Sequence, residues 1–136
     1  METDDGGESI LVVDDDLKYL KLIRVLFQSE GYDVRTAADA EEAQAVLIAF
    51  RPRLVLMDVQ LPGMNGLELT RRLKGNTQTH EMTVVACSGS SMPEAEQNAL
   101  DAGCDGYIAK PVDPRTLIRL VAEYLQRAVG KHTEHY

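Results

Sequence analysis

Cysteine is scarce in this chain: its 136 residues include only Cys87 and Cys104. Two such residues make neither a disulfide framework nor a metal-ligand spacing. Cys87 sits in an apolar run and reads as a small core residue, whereas Cys104 is a candidate surface thiol. Long apolar runs are missing too. Ile10–Val13 and Leu54–Met57 are of strand length, against the roughly 20 residues that a membrane span needs. Met1–Ser9 is acidic and carries neither the basic nor the apolar region of a secretory signal, so the expected compartment is the cytoplasm. Basic charge is the third shortage. Lys and Arg number 14 against 22 Asp and Glu, a formal net charge of −8. The deficit lies in residues 1–68, with 6 basic and 14 acidic side chains, whereas residues 69–136 carry 8 of each. A chain this acidic lacks the electrostatic footprint for nucleic-acid phosphates. Its excess carboxylates suit a cation, provided that several converge.

What the chain does have is enough for one soluble core. It is 44% hydrophobic and 26% charged, outside the range of disordered chains, and its length fits a single domain. Residues 1–8 read as an acidic tail, 9–128 as the domain and 129–136 as a C-terminal tail, with no internal repeat or linker. Two kinds of segment alternate. Ile10–Val13, Leu54–Met57 and Thr83–Cys87 are aliphatic runs typical of strands buried on both faces, with Asp33–Ala37 and Gly106–Ala109 as weaker strands. Between them lie stretches of helical length. Leu17, Leu20, Ile23, Arg24 and Phe27 recur at three- and four-residue intervals, and Gly31 stops that helix. Asp39 with Glu42 has the spacing of an acidic capping box opening a helix over Ala40–Phe50. Further helices are expected over Gly66–Lys74, Pro93–Ala102 and, opened by Asp113-Pro114, as far as about Ala128.

Five strands alternating with five helices demand an α/β fold, a doubly wound parallel sheet with helices on both faces. Ligands of such sheets bind beyond the carboxyl ends of the strands. The residues at those ends are therefore the informative ones. The first strand runs into Asp14, Asp15 and Asp16, the third into Asp58, the fourth into Ser88 and the fifth into Lys110-Pro111. Three carboxylates close together repel one another and call for a divalent cation. An oxygen-only donor set with room for water suits magnesium better than zinc. A carboxylate held against magnesium and a lysine is a nucleophile suited to an electrophilic phosphorus, because the two cations neutralise the phosphoryl oxygens in the transition state.

Four motifs, Ile10–Asp16 (ILVVDDD), Leu54–Gly66 (LVLMDVQLPGMNG), Val84–Gly89 (VVACSG) and Gly106–Pro111 (GYIAKP), resemble the receiver domain of bacterial two-component response regulators. They stand in that family's order over roughly Ser9 to Ala128. The resemblance implies a flavodoxin-like sheet of strand order 2-1-3-4-5. It implies Asp58 as phosphoacceptor, with Asp14, Asp15, Asp58 and the backbone carbonyl of Gln60 around Mg2+. Ser88 would bind the phosphoryl group, Lys110 would pair first with Asp58 and then with that group, and Tyr107 would turn as Ser88 moves. The Lys110–Pro111 bond would be cis. Ser88 replaces the commoner threonine and keeps the hydroxyl. Gln60 and Ser90 occupy positions that resemble tuning sites for loss of the phosphoryl group, and Asp16 caps the first helix.

The implied partners are a sensor histidine kinase or histidine phosphotransfer protein and an unknown downstream protein, with no nucleic acid and no membrane. The chain would catalyse only its own phosphorylation and dephosphorylation, and its output would be protein binding or onward transfer. Taken singly, the same residues have plainer readings: a capping cluster at Asp14–Asp16, a turn aspartate at Asp58, a solvated Lys110, a half-buried structural Tyr107. His80, His132 and His135 show no ligand partners at useful spacing. Two other functions stay open here. One is a receiver cut from a hybrid kinase or larger regulator. The other is an aspartate-nucleophile phosphohydrolase of the haloacid dehalogenase type, although those enzymes carry Asp-x-Asp on the first strand and a cap domain.

Overall fold

The computed structural model describes residues 8–89 and 93–133. Five strands and five helices alternate along them: β1 (Ser9–Val13), α1 (Leu17–Ser29), β2 (Asp33–Ala37), α2 (Ala40–Ala49), β3 (Leu54–Asp58), α3 (Gly66–Lys74), β4 (Thr83–Ser88), α4 (Pro93–Asp101), β5 (Gly106–Ala109) and α5 (Pro114–Thr133). All pairings are parallel, in the order β2-β1-β3-β4-β5. This is the doubly wound α/β sheet expected from the alternating pattern, with its switch point between β1 and β3.

Strand alternation divides the core into two layers. Leu11, Val13, Val55, Met57, Val84 and Ala86 face α2, α3 and α4, while Ile10, Val12, Leu54, Leu56, Val85 and Cys87 face α1 and α5. Because side chains of a strand point alternately to opposite faces, strands covered on both sides must be apolar at successive positions. The unbroken aliphatic runs of β1, β3 and β4 meet that demand.

Helix starts are set by side-chain caps. Asp16, Asp39 and Asn65 each accept a hydrogen bond from the amide three residues on, at 3.2, 2.7 and 2.9 Å. Asp113 accepts likewise from the Thr116 amide at 3.1 Å. Each such cap stabilises its helix by about 1 kcal/mol. The carboxylate of Glu42 reaches back to the amide of Ala38 at 2.7 Å, a capping box displaced by one residue from the ideal pattern.

Four details differ from the sequence expectation. In α1 only Leu20, Ile23 and Phe27 of the apolar recurrence are buried. Leu17 is 63% exposed, because it opens the helix at the sheet rim beyond the last residue of β1. Arg24 is exposed and donates to the Thr36 hydroxyl at 2.9 Å. Cys104 is buried at 6% exposure, in the layer containing Leu73 and Val84, with its thiol 3.9 Å from the Thr70 hydroxyl. The turn after α4 folds it inward, as its amide bonds to the Ala99 carbonyl at 3.0 Å. Finally, α5 runs to Thr133 instead of ending near Ala128; the roughly 1 kcal/mol propensity cost of Gly130 does not end a helix already propagating from α5. Among the described residues, no helix is long and apolar enough to cross a membrane.

Candidate functional site

Parallel register brings the strand ends into one line. Val13 lies beside Met57, Asp58 beside Cys87 and Ser88 beside Ala109. The residues just past these positions therefore meet at the carboxyl rim. Asp14 is held there by its amide, which donates to the Ala37 carbonyl at 3.0 Å, and Lys110 by its amide on the Ser88 carbonyl at 2.8 Å. Asp14, Asp58 and Ser88 are buried, whereas Asp15 is exposed.

Oxygens of Asp14, Asp15 and Asp58 lie within 4.8 Å of one another. Magnesium takes oxygen ligands at about 2.0–2.1 Å, so ligands on opposite sides of the ion are about 4 Å apart. The three carboxylates lie close to that spacing, and their hard-oxygen chemistry suits such an ion. Each buried carboxylate is also oriented from the backbone. Asp14 Oδ1 accepts from the Asp16 amide at 2.9 Å, and Asp58 Oδ1 from the Gln60 amide at 3.0 Å.

Lys110 completes the cluster, and its contacts refine the expectation. Its ammonium is 2.6 Å from Asp14 Oδ2 and 3.8 Å from Asp58 Oδ2, so Asp14 is the closer partner. Burial alone would lower the Lys110 ammonium, but the hydrogen bond and charge of Asp14, followed by the charge of Asp58, outweigh it and leave its pKa raised. Burial raises the Asp58 carboxyl above its ordinary value; the Gln60 amide and Lys110 oppose that rise, and the charges of Asp14 and Asp15 add to it. The pocket is thus one in which the ionised Asp58 gains from any further positive charge.

The helix that follows Asp58 approaches very closely. A Cβ on Gly66 would stand 2.1 Å from the Asp58 carbonyl oxygen, so only glycine lets α3 start against the end of β3. Gly66 also donates its amide to the Val59 carbonyl at 2.9 Å. Tyr107 is half-buried on β5, beside Ala86 in register, and packs against the α2–α3–α4 layer. Gln60 is exposed next to the site, the Lys110–Pro111 bond is cis, and Ser90 lies outside the described residues.

The rim thus gathers three carboxylates, a lysine and a serine at the ends of β1, β3, β4 and β5. The profile of the response regulator receiver domain matches residues 10–122. The chain belongs to the response regulator receiver domains. Among its relatives, the polar-differentiation response regulator DivK of Brucella anthropi is 33% identical over 118 residues, which cover 87% of this chain and 96% of DivK. The phosphate regulon transcriptional regulatory protein PhoB of Pseudomonas aeruginosa is 34% identical over 121 residues, and there the match spans 89% of this chain and 53% of PhoB. This chain therefore covers nearly all of one relative and about half of the other. The crystal structure of a CheY-like receiver domain protein from Methanospirillum hungatei superposes with a TM-score of 0.85 at 33% identity, covering 93% of this chain and 99% of that one.

Two features of this receiver domain's site were not foreseen from its sequence. One is the preference of Lys110 for Asp14. The other is the ring of Tyr19, whose centroid is 5.2 Å from the Lys110 ammonium. The signal for the second was present in the sequence: Tyr19 lies in the first turn of a helix that opens at Asp16, and helical side chains lean toward the N-terminus, which here is the rim.

Proposed function

We propose that this receiver domain accepts a phosphoryl group onto Asp58 from a phosphohistidine of a kinase or phosphotransfer protein, with magnesium held by Asp14, Asp15, Asp58 and the Gln60 carbonyl. The observation that carries the reading is the convergence of three carboxylate oxygens within 4.8 Å on a pocket that also holds Lys110. In the transfer, an Asp58 carboxylate oxygen forms a bond to phosphorus as the P–N bond to the donor imidazole breaks. The imidazole nitrogen keeps that electron pair and takes a proton from water. The bound ion supplies positive charge against the phosphoryl oxygens. The protein supplies the rest: the Gln60 amide fixes the nucleophile, Lys110 brings a second positive charge, and the Ser88 hydroxyl donates to a phosphoryl oxygen.

The same parts support a switch. The phosphoryl group adds about two negative charges and strong acceptors. Ser88 and Lys110 are joined through the 2.8 Å hydrogen bond between the Lys110 amide and the Ser88 carbonyl, so the ends of β4 and β5 respond together. Movement of Ser88 makes room for Tyr107 to turn inward, remodelling the face made by α4, β5 and α5. Phosphorylation thereby shifts the population between two packings, and binding of a downstream protein reads it. The chemistry is self-modification, which sets it apart from turnover of a small phosphoester.

The test is intact mass after incubation with magnesium and a small acyl phosphate or amidophosphate, beside Asp58→Asn and a magnesium-free control. A gain of one phosphoryl group in wild type alone is expected. Phosphorylation of the Asp58→Asn protein to the same extent would sink the assignment, and failure of both small donors and a purified histidine kinase would sink the function.

A further inference from the structure

On the phosphoacceptor reading above, we propose that the ring of Tyr19 is a positioning residue that holds Lys110 on Asp14, so that lysine and magnesium compete for the same carboxylate. Both oxygens of Asp14 are engaged: Oδ1 by the Asp16 amide at 2.9 Å and Oδ2 by the Lys110 ammonium at 2.6 Å. A divalent cation that takes Asp14 as ligand meets an ammonium already resting on one of its oxygens, and the two cations repel. The lysine must therefore yield ground when the ion enters.

Two forces keep the lysine where it is. One is the ion pair with Asp14. The other is the face of Tyr19, 5.2 Å from the ammonium and within the range at which an aromatic quadrupole attracts a cation. Asp58 Oδ2 is 3.8 Å away and pulls less strongly. Tyr19 is itself partly buried and packed against the layer of Ile23, Leu117 and Val121. The ring stabilises the pairing of Lys110 with Asp14, and the protein without the ring binds magnesium more tightly.

Magnesium titrations followed by NMR at the Asp16 and Gln60 amides, with no phosphodonor present, test this. Tyr19→Leu is expected to lower the magnesium Kd about two- to fivefold, the size of a partly exposed cation–π contact. Tyr19→Phe keeps the ring and stays within about twofold of wild type on the same basis. In a Lys110→Met background, replacing Tyr19 by Leu changes nothing, because the ring acts only through the lysine. Tyr19→Met, a flexible side chain of similar reach, gives the same direction should the leucine variant fail to fold. An unchanged Kd in both ring-less variants overturns the proposal, as does the same tightening in the Lys110→Met background. Intact-mass phosphorylation of wild type, run alongside, separates the two readings. If wild type is phosphorylated while the Kd does not move, only the latch fails. If wild type is never phosphorylated while the Kd moves as expected, the latch stands and the phosphoacceptor reading fails.

Discussion

Replacing Gly66 by alanine adds one methyl group at the point where α3 begins against the end of β3. That methyl carbon would lie 2.1 Å from the Asp58 carbonyl oxygen and 3.0 Å from both the Asp58 carbonyl carbon and Met57 Cγ. Tolerated C···O contacts begin near 3.3 Å, so the gap must open by about 1 Å. Met57 can yield by changing rotamer, but the Asp58 carbonyl cannot. Its strand is paired with β4, and the next amide, that of Val59, is bonded to the Cys87 carbonyl at 3.0 Å. The strain falls at the upper end of overpacking costs, about 3 kcal/mol. For a chain of this size that lowers Tm by roughly 9–15 °C. Gly63→Ala is the matched control. It has φ of +75° but nothing within 4 Å of the added carbon, so only backbone strain of about 1–2 kcal/mol applies. Thermal and urea unfolding followed by circular dichroism compare the two. Phosphorylation by a small donor should also slow in Gly66→Ala by roughly a hundredfold, the cost of misplacing a reacting group by about 1 Å. A Gly66→Ala protein no less stable than Gly63→Ala would refute the close-approach reasoning.

The raised pKa of Asp58 means that the folded protein binds this proton more tightly than the unfolded chain. Its ionisation therefore lowers stability as pH rises through the folded value. Asp58→Asn should raise the Tm of the magnesium-free protein near pH 7 by roughly 3–5 °C, equivalent to about 1 kcal/mol. That advantage should shrink as pH falls toward the ordinary carboxyl value of 3.8, and a gap constant across pH would contradict the cause given. Lys74 ties α3 to the sheet through the Met82 carbonyl at 2.7 Å and Asp105 at 2.8 Å, and Asp105 in turn accepts from the Val84 amide at 2.8 Å. Lys74→Met removes a charged donor from both acceptors and should cost about 2–3 kcal/mol in urea unfolding. Cys87 is buried with its thiol pushed up to about 12, chiefly by burial, and Cys104 is raised for the same reason. Neither should react with a disulfide reagent at neutral pH until the protein unfolds, which a thiol assay with and without urea reads directly.

Much of the molecule could be read before its coordinates because its strands are buried on both faces. Ile10–Val13, Leu54–Met57 and Thr83–Cys87 are aliphatic runs, and each is followed abruptly by a polar residue at the rim. Asp16, Asp39 and Asp113 announce their helices by local chemistry, which survives folding unchanged, whereas the Asn65 cap of α3 emerged only with the structure. The errors came where tertiary position overrides local pattern. Leu17 shares the period of Leu20 and Ile23 but starts its helix beyond the sheet, so no core awaits it. Cys104 stands between Asp101 and Asp105 in sequence, and only the turn after α4 points it inward. The partner choice of Lys110 is beyond any one-dimensional pattern. It depends on a difference of about an ångström, 2.6 against 3.8 Å, between two carboxylates that are 44 residues apart in the chain and adjacent in the fold. The resemblance of the four motifs supplied roles for these residues, while periodicity and strand ends supplied their meeting place.

The division of the core into two layers has a consequence for how such a molecule can change over time. Val12 and Val13 are neighbours in sequence yet support different helices, Val12 those of one layer and Val13 those of the other. The layers share no side chains, only backbone. A substitution that reshapes α1 or α5 is therefore screened from α2, α3 and α4 by the width of the sheet, and the reverse holds. Exempt from this insulation are the rim, where strand ends from both layers meet, and the edge at β5, which α4 flanks on one face and α5 on the other. A lineage can remodel the surface on one side to suit a new neighbour without disturbing the other, so long as the rim is left alone. Duplicate copies can then diverge into separate channels that keep identical chemistry.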